Sequence, residues 1–471
     1  MSDVLVLGGG PAGLLTAVML AAEGRGVTVL ESDPPPPRRD GAALYGGWKR
    51  PGVRQFLQAH LLLPGGFRVL MAERPAVVDR MLDLGALRHN IIAGAWHVGA
   101  TGGPQPGDDR FETVAARRPV LEAALLAEAE HTPGVTVRRG VKVTGLRTKQ
   151  ARTDRCRHVT GVLCEGSEQL DSDLVVDASG RRASGAAMLS DLGLAPHEQR
   201  ADSGFRYYTR FFRSGDGLAQ PPPPWVGFQH DSVAILILPG DHGTWSVTIA
   251  TSDRDQELRR LSNKDTWHRA MRLYPTESPW AEGEPVTEVI ATGGVRSAHR
   301  RLVVDDAPVV TGLVAVGDAW ATTNPLFGAG MTTAFRHAAL LRDTLRRVGS
   351  VDATAWSVAF AAATEHHLLP LWHGLDGWDR HRLAEIDHEM KGERYAADDP
   401  AWQRRIALEA ARFQDPEIMR ALAEMTALLA GPEVLTTPRL KGRVAALSTN
   451  APRYPTPGPS RRELLSALAD A

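Results

Sequence analysis

The sequence predicts an α/β fold with an inserted β-sheet domain and a C-terminal helical region, on three observations. First, the apolar run at residues 4–7 is followed by a glycine-rich turn, an apolar helix and a second strand, which together make a βαβ unit. Second, the middle of the chain alternates short apolar runs with Gly, Pro and Asp turns. Third, the pattern from Asp352 onward is helical, including residues 401–413 and 416–429.

The glycine-rich turn occupies residues 8–13 and reads Gly-Gly-Gly-Pro-Ala-Gly. Gly8 allows the tight turn, Gly10 lets the backbone approach a pyrophosphate, and Gly13 lets helix and strand pack closely. The following helix N-terminus favours an anion, and Glu31 ends the second strand where an acid accepts hydrogen bonds from ribose hydroxyls. This unit predicts a Rossmann-type domain. Its candidate cofactor contacts in the turn are Gly8, Gly10, Pro11, Ala12 and Gly13.

A second nucleotide-type turn follows far downstream. Residues 313–319 read as a buried strand ending in Gly-Asp, and residues 324–331, Asn-Pro-Leu-Phe-Gly-Ala-Gly-Met, lead into a helix. This pair of motifs resembles the flavin-dependent monooxygenases of the para-hydroxybenzoate hydroxylase fold. The resemblance implies FAD as the cofactor, with the aspartate on a ribityl hydroxyl and a helix N-terminus at the flavin ring. It places these roles on Gly317, Asp318, Pro325, Gly328, Gly330 and Met331.

Two further segments carry the same resemblance. The family's Arg-x-x-Leu, whose arginine reaches FAD, matches Arg118, with Arg117 as the alternative. Residues 50–66 resemble the Gly-Val-Pro-Gln…His…Gly-Gly segment of bacterial natural-product flavin epoxidases and hydroxylases, including polyether epoxidases. Arg54 replaces the usual proline of that segment, and Ser179-Gly180 replaces an Asp-Gly pair of other members. We therefore transfer no role to these two positions.

The resemblance implies three parts of the chain. A discontinuous FAD-binding domain spans residues 1–200 and 290–350, a substrate-covering β-sheet domain spans 201–289, and a helical region spans 351–471. Strands are expected in the middle domain at 205–212, 233–238 and 244–249. Aromatic side chains of this domain either contact an apolar ligand or form ordinary core. The candidates for substrate contact are Tyr207, Phe211, Phe228 and Trp245.

The composition of the chain limits the kinds of partner that it is expected to bind. Lys plus Arg number 54 against 55 Asp plus Glu, so no net field attracts nucleic acid or an anionic membrane. No apolar run approaches the roughly 20 residues of a membrane span. With only Cys156 and Cys164 and no signal-peptide pattern, the sequence favours a cytoplasmic location. Five C-terminal histidines have no recognisable metal-ligand spacing, so no metal is expected: His366, His367, His373, His381 and His388.

The predicted activity follows from the resemblance. It is FAD-dependent monooxygenation, in which one oxygen atom of O₂ passes through a flavin C4a-hydroperoxide to an apolar or aromatic small molecule of bacterial secondary metabolism. Epoxidation and hydroxylation stay open, and His60 or Tyr45 is the candidate base for phenol hydroxylation. The electron donor is NAD(P)H or a separate flavin reductase. Alternatives are a flavin-dependent reductase, a non-catalytic FAD-binding protein, and a halogenase, whose Trp-x-Trp-x-Ile-Pro signature is absent.

Overall fold

The computed structural model describes residues 3–36, 41–150, 156–215, 220–349, 352–449 and 452–469, without the side chains of Ala42, Asp202 and Ser203. The strands are, in chain order, β1 (Asp3–Leu7), β2 (Gly26–Glu31), β3 (Leu87–Asn90), β4 (Glu112–Ala115), β5 (Val135–Arg139), β6 (Val143–Gln150), β7 (Arg157–Cys164), β8 (Gln169–Asp171), β9 (Leu174–Asp177), β10 (His197–Arg213), β11 (Gly227–Gln229), β12 (Val233–Pro239), β13 (Thr244–Ser252), β14 (Glu284–Pro285), β15 (Ile290–Arg301), β16 (Val303–Val304), β17 (Ala307–Pro308), β18 (Val310–Thr311), β19 (Leu313–Ala315) and β20 (Ala321–Thr322). The α-helices are α1 (Pro11–Ala21), α2 (Gly41–Gly47), α3 (Pro64–Glu73), α4 (Pro75–Asp83), α5 (Arg118–His131), α6 (Ser184–Asp191), α7 (Lys264–Met271), α8 (Ala329–Val348), α9 (Ala353–His367), α10 (Leu369–Glu389), α11 (Pro400–Ala411), α12 (Pro416–Thr426), α13 (Pro438–Ser448) and α14 (Arg461–Ala469).

A parallel sheet of order β19-β9-β1-β2-β5 carries the glycine turn. The apolar side chains of β1 are buried on both faces of the sheet, as the continuous apolar run predicts. One face packs on α1, α8 and α9 through residues such as Leu20, Leu341 and Phe360. The small sheet of β6, β7, β8 and β18 covers the other face. The parallel order brings the carboxyl ends of β1, β9 and β19 to one edge, where the two nucleotide-type turns meet.

The larger sheet is antiparallel, with order β11-β12-β13-β10-β15-β20. It contains the three predicted middle strands, which lie within β10, β12 and β13. The long strand β10 begins at His197, before the expected boundary at residue 201. Its neighbour β15 (Ile290–Arg301) lies wholly within the segment expected to belong to the FAD-binding domain, yet pairs with β10 in the larger sheet. The larger sheet therefore includes residues of both expected parts of the chain.

The C-terminal region is helical, and helices α11 and α12 confirm the predicted ones at 401–413 and 416–429. Helix α10 lies on the larger sheet, where Leu383 and Ile386 pack on Phe205 and Tyr207 of β10. Within the described ranges, no helix combines the length and the apolar character needed to cross a bilayer.

Candidate functional site

The glycine turn between β1 and α1 has tight positions and one open position. Gly8 has a φ of 107°, and a Cβ there would lie 2.6 Å from the Ala178 carbonyl oxygen. A Cβ on Gly13 would lie 1.9 Å from the Gly8 carbonyl oxygen, so only glycine lets strand and helix approach this closely. In contrast, no described heavy atom lies within 4 Å of a Cβ built on Gly10. The turn therefore opens at Gly10, next to the N-terminus of α1 where an anion binds favourably.

The predicted ribose acceptor, Glu31, lies at the end of β2 beside this turn. Its carboxylate accepts hydrogen bonds from the backbone N–H of Gly9 and of Asp33, each at 2.8 Å. It also pairs with Arg50, a buried guanidinium that contacts the carboxylates of Asp33 and Glu122 as well. Arg50 was not among the predicted cofactor residues. An arginine before a Pro-Gly turn has no local signal of burial, and only the fold surrounds it with acids.

A second arginine approaches the same turn. Arg139 ends β5, and its guanidinium lies 3.4 Å from the Gly9 carbonyl oxygen, as does that of Arg50. The buried Nε of Arg139 has no hydrogen-bond partner among the described residues. Burial and the like charge of Arg50 lower the pKa of Arg139. Each guanidinium nitrogen of Arg50 is already bonded to a carboxylate or to the Gly9 carbonyl oxygen. The unpartnered buried N–H of Arg139 is therefore the group that fits a phosphate oxygen of a dinucleotide.

The second turn meets the first at Gly317, whose φ is 59°. A Cβ built on Gly317 would lie 3.2 Å from the Cβ atoms of both Ala12 and Ala334, so α1 and α8 approach it from two sides. A Cβ on Gly330 would lie 3.5 Å from the Asp318 carboxylate. Motifs about three hundred residues apart in sequence therefore form one site.

The Asp318 carboxylate accepts no hydrogen bond from any side chain or N–H group that the structure describes. Burial raises its pKa, while the charges of Arg181, Arg118 and Arg300 oppose that shift. A half-buried carboxylate with unused acceptor capacity beside two nucleotide-type turns fits the ribityl hydroxyl role expected of it.

Helix α8 holds the Gly317-Asp318 turn through His337. The backbone N–H of Gly317 donates to Nδ1 of this buried ring at 3.2 Å, so Nε2 carries the proton and donates to Thr364 at 3.1 Å. Burial lowers the pKa of His337 to about 3 and keeps the ring neutral. No local pattern in the sequence distinguishes this histidine, since it is a lone His inside a helix.

Arg118, the first residue of α5, lies near Asp318 and contributes to its electrostatics. Its Nε donates to Glu122 at 2.6 Å, and its Nη1 lies 3.3 Å from Nε2 of His60. The alternative, Arg117, instead pairs with Asp241 at the hairpin between β12 and β13. The structure thus brings Arg118, and not Arg117, to the Asp318 site.

Both candidate bases are engaged in hydrogen bonds. His60 Nδ1 lies 2.8 Å from the Gln58 carbonyl oxygen, so Nε2 faces the Arg118 guanidinium as an acceptor. Burial and Arg118 lower the pKa of His60 to about 3. The Tyr45 hydroxyl donates to the Leu57 carbonyl at 3.1 Å, and burial raises its pKa well above the ordinary value. His60 is therefore placed to orient Arg118, and neither group has the pKa of an efficient base near neutral pH.

The turn before α8 contains the remaining predicted cofactor residues. Pro325–Phe327 form a short 3₁₀ turn, Gly328 adopts a φ of 63° and α8 begins at Ala329. Gly330 faces Asp318, whereas Met331 packs into the apolar core between α1, α3 and α8. The positive end of the α8 dipole lies at this turn, as the flavin-ring role requires.

The larger sheet separates the four aromatic candidates for substrate contact. Tyr207 and Phe211 lie on what we call the front face, toward Leu326 and Tyr45 respectively. Phe228 and Trp245 lie on the back face, where they are buried in the core with Trp267. Alternation along paired strands decides this division. All four side chains are buried, with exposed fractions of 7% for Tyr207, 2% for Phe211, 0% for Phe228 and 3% for Trp245. Substrate contact by any of the four stays a prediction.

The two positions that depart from the family pattern have different surroundings. Ser179 accepts the N–H of Ser184 at 2.7 Å and donates to Asp177 at 2.5 Å, so it builds the turn after β9. Arg54 is exposed. In the described part of the chain, no group of three or more His, Cys, Asp or Glu side chains is arranged to hold a metal ion.

Comparison with known proteins agrees with this geometry. The squalene epoxidase family model matches residues 276–360, which include the Gly317-Asp318 turn and the start of α8. Protein Rv3254 of Mycobacterium tuberculosis is 28% identical over 394 residues, 78% of each chain. The rifampicin monooxygenase of Streptomyces venezuelae is 33% identical over 184 residues, which is 39% of this chain and 33% of that protein.

Solved structures share the overall architecture. PqsL of Pseudomonas aeruginosa, described as a probable FAD-dependent monooxygenase, superposes with a TM-score of 0.59 at 18% identity, over 82% of this chain and 96% of that one. The flavin-dependent brominase Bmp2 superposes with a TM-score of 0.57 at 16% identity, over 95% and 92%. The chain therefore has the para-hydroxybenzoate hydroxylase-type fold, which FAD-dependent monooxygenases share with flavin-dependent halogenases.

Proposed function

We propose that this chain is an FAD-dependent monooxygenase that transfers one oxygen atom from O₂ to an apolar or aromatic small molecule. The observation that carries the proposal is the convergence of the open Gly10 turn, the Asp318 carboxylate and the N-terminus of α8 in one site. Support comes from the match of residues 276–360 to the squalene epoxidase family model and from the similarity to a rifampicin monooxygenase. We also propose bacterial secondary metabolism as its setting and the cytoplasm as its location.

The chain's own groups divide the work of holding FAD. Arg139 and the start of α1 would bind the pyrophosphate, Glu31 would accept from ribose and Asp318 would accept from the ribityl chain, while Arg50 holds Glu31 in place. The α8 N-terminus stabilises negative charge on the reduced ring. When bound, FAD supplies the electron transfer and the activation of O₂. The protein's remaining tasks are to orient the substrate and to keep water out.

The residues expected near the substrate favour a reaction that does not require a protein base. Tyr207 and Phe211 are buried aromatic side chains on the front face, and Leu326 of the turn lies beside Tyr207. His60 and Tyr45 are held in hydrogen bonds with strongly shifted pKa values. Alkene epoxidation requires no proton abstraction from the substrate, unlike phenol hydroxylation. We therefore propose epoxidation as the first reaction to test and hydroxylation as the second.

One sequence of measurements tests the function. Purified protein is loaded with FAD, reduced without oxygen by NADH, by NADPH or by a separate flavin reductase, and then mixed with O₂ and candidate alkenes or phenols. Formation of a product carrying ¹⁸O from ¹⁸O₂ is expected. Product that incorporates halide would indicate a halogenase, and a saturated product without O₂ uptake would indicate a reductase. FAD binding without turnover by any donor would indicate a non-catalytic flavoprotein.

A further inference from the structure

A buried hydrogen-bonded chain links the larger sheet, the turn before α8 and helix α10. The Tyr207 hydroxyl donates to Oδ1 of Asn324, which also accepts the backbone N–H of Leu326 at 2.9 Å. The Asn324 Nδ2 donates to Asp379 Oδ1 at 2.6 Å. The exposed fractions are 7% for Tyr207, 2% for Asn324 and 1% for Asp379. Nothing in the cofactor or substrate assignment uses Asn324 or Asp379.

The amide of Asn324 has one orientation that satisfies its neighbours. Two donors, the Tyr207 O–H and the Leu326 N–H, converge on one of its terminal atoms, which must therefore be oxygen. Its NH₂ group then faces Asp379, which accepts in either protonation state. The contact thus persists when Asp379 is protonated, while the other carboxylate oxygen, Oδ2, is buried without a hydrogen-bond partner among the described residues.

No positive charge among the described residues pairs with the Asp379 carboxylate. Asp376 lies on the same helix and is paired with Arg380 at 3.4 Å. No ion pair joins Asp379 itself to a cation within the described ranges. Burial raises the pKa of Asp379 to about 7, the Asn324 hydrogen bond opposes this and Asp376 adds to it. At the other end of the hydrogen-bonded chain, burial and the charge of Asp379 raise the pKa of Tyr207, whereas the charge of Arg181 lowers it.

The residue before Asp379 contacts the same turn from its apolar side. The Trp378 ring centroid lies 4.8 Å from that of Phe327, edge to face, and 6.3 Å from that of Phe205 on β10. Two adjacent residues of α10 therefore hold both ends of the Pro325–Phe327 turn, one through Asn324 and one through Phe327. This turn leads directly into the left-handed Gly328 and the start of α8.

We propose that Asp379 is a positioning residue, which through Asn324 holds the Pro325–Phe327 turn and the Tyr207 hydroxyl in place, and that a negative charge on Asp379 loosens this arrangement. The inference rests on the proposed function in one respect, namely that this turn faces the flavin. A buried charge without a cation or a full set of hydrogen bonds costs free energy. We expect this cost to destabilise the position of the segment that contacts Asp379, which is the turn held by Asn324.

Two variants separate the hydrogen bond from the charge. Asp379→Ala removes the acceptor of Asn324 and is expected to weaken FAD binding about tenfold, the effect of leaving a buried donor unpaired. Asp379→Asn keeps an acceptor and removes the charge, so it is expected to restore FAD affinity. Asp387→Asn, on the same helix in a surface pair with Arg254, is the matched control and should behave as wild type.

The pH dependence of FAD binding distinguishes an effect of the Asp379 charge from a purely structural effect, which would not change with pH. For wild type and Asp387→Asn, the dissociation constant of FAD is expected to rise between pH 6 and pH 8, whereas Asp379→Asn should show no such rise. The melting temperature is measured in parallel without FAD. Because the folded-state pKa is raised, ionisation costs stability as pH rises from about 4 to 7. The melting temperature of Asp379→Asn relative to wild type should therefore increase over that window.

These measurements distinguish a failure of the proposed function from a failure of the proposed role of Asp379. A wild-type protein that holds no FAD would contradict the proposed function, while the melting temperatures would still test the Asp379 contact. A wild-type protein that binds FAD, with Asp379→Asn showing the same pH dependence as wild type, would overturn the role of Asp379. Equal FAD affinity in Asp379→Ala and wild type would overturn it as well. If Asp379→Ala does not fold, Asp379→Asn decides the question.

Discussion

At the scale of single residues, two glycines of one turn differ in the space around them. Gly13 leaves no room for a Cβ, because the Gly8 carbonyl oxygen would lie 1.9 Å away. Gly10 has open space and an extended backbone with a φ of −88°, which any residue adopts. Gly13 is therefore required by the fold, and Gly10 is required by whatever occupies the open side.

This difference makes a paired prediction. Gly10→Val should fold with a melting temperature close to wild type but lose FAD, because its side chain occupies the phosphate side of the turn. Gly13→Ala should lower stability by about 1 to 3 kcal/mol through overpacking. Thermal unfolding and FAD content after purification distinguish the two. Full FAD occupancy in Gly10→Val would contradict the site.

Asp318 is the second residue-scale test. Asp318→Ala removes an acceptor for a ligand hydroxyl and should weaken FAD binding by about 1.5 to 3 kcal/mol, the range for hydrogen bonds to charged groups. Asp318→Asn keeps one acceptor and should lose less. Titration of apoprotein with FAD, followed by flavin fluorescence, measures both. Affinity unchanged in the alanine variant would remove Asp318 from the site.

At the scale of elements, helix α8 does more than direct its dipole. Its third turn carries His337, which accepts the Gly317 N–H and so holds the other nucleotide-type turn against the helix. A second buried histidine, His299 on β15, contacts the same Trp320 ring at the same centroid distance of 5.1 Å. Its Nε2 has no hydrogen-bond partner among the described residues. The two histidines thus provide a matched pair.

His337→Leu is expected to weaken FAD binding and lower stability by about 1 to 3 kcal/mol, because the buried Gly317 N–H loses its acceptor. His299→Leu removes a similar ring without removing a hydrogen bond to the turn, so FAD affinity should stay near that of wild type. Equilibrium FAD titration of both variants is the measurement. A larger loss of affinity in His299→Leu would show that packing on Trp320, and not the hydrogen bond, positions the turn.

At the scale of the whole molecule, four histidines with lowered pKa values contribute to the response to acid. Burial lowers the pKa of His60 and His337 to about 3 and that of His89 and His299 to about 4. The unfolded chain binds protons at these sites near pH 6.5, so it holds more protons than the folded chain below that pH. These groups therefore contribute stability above about pH 6.5 that is lost as the pH falls toward 4.

The expected result is that the melting temperature falls less steeply between pH 6.5 and 4.5 in the double variant His89→Leu/His299→Leu than in wild type. Neither histidine has a partner for its Nε2 among the described residues, so no hydrogen bond at that atom is lost. The exposed pair His366→Leu/His367→Leu is the control and should keep the wild-type slope. Identical slopes in all three proteins would refute the assignment.

The sequence by itself determined the βαβ unit, the middle strands and the late helices, because each depends on local patterns of apolar residues, glycines and prolines. It also determined the separate motifs around Gly10, Asp318 and Gly330. Only the tertiary structure decided how they combine. Arg50 among three carboxylates, His337 on the Gly317 N–H and Asp379 on Asn324 are contacts between residues far apart in the chain. Which face of the sheet Tyr207 and Trp245 occupy was also settled by strand pairing, since an aromatic residue in a strand has the same local pattern on either side.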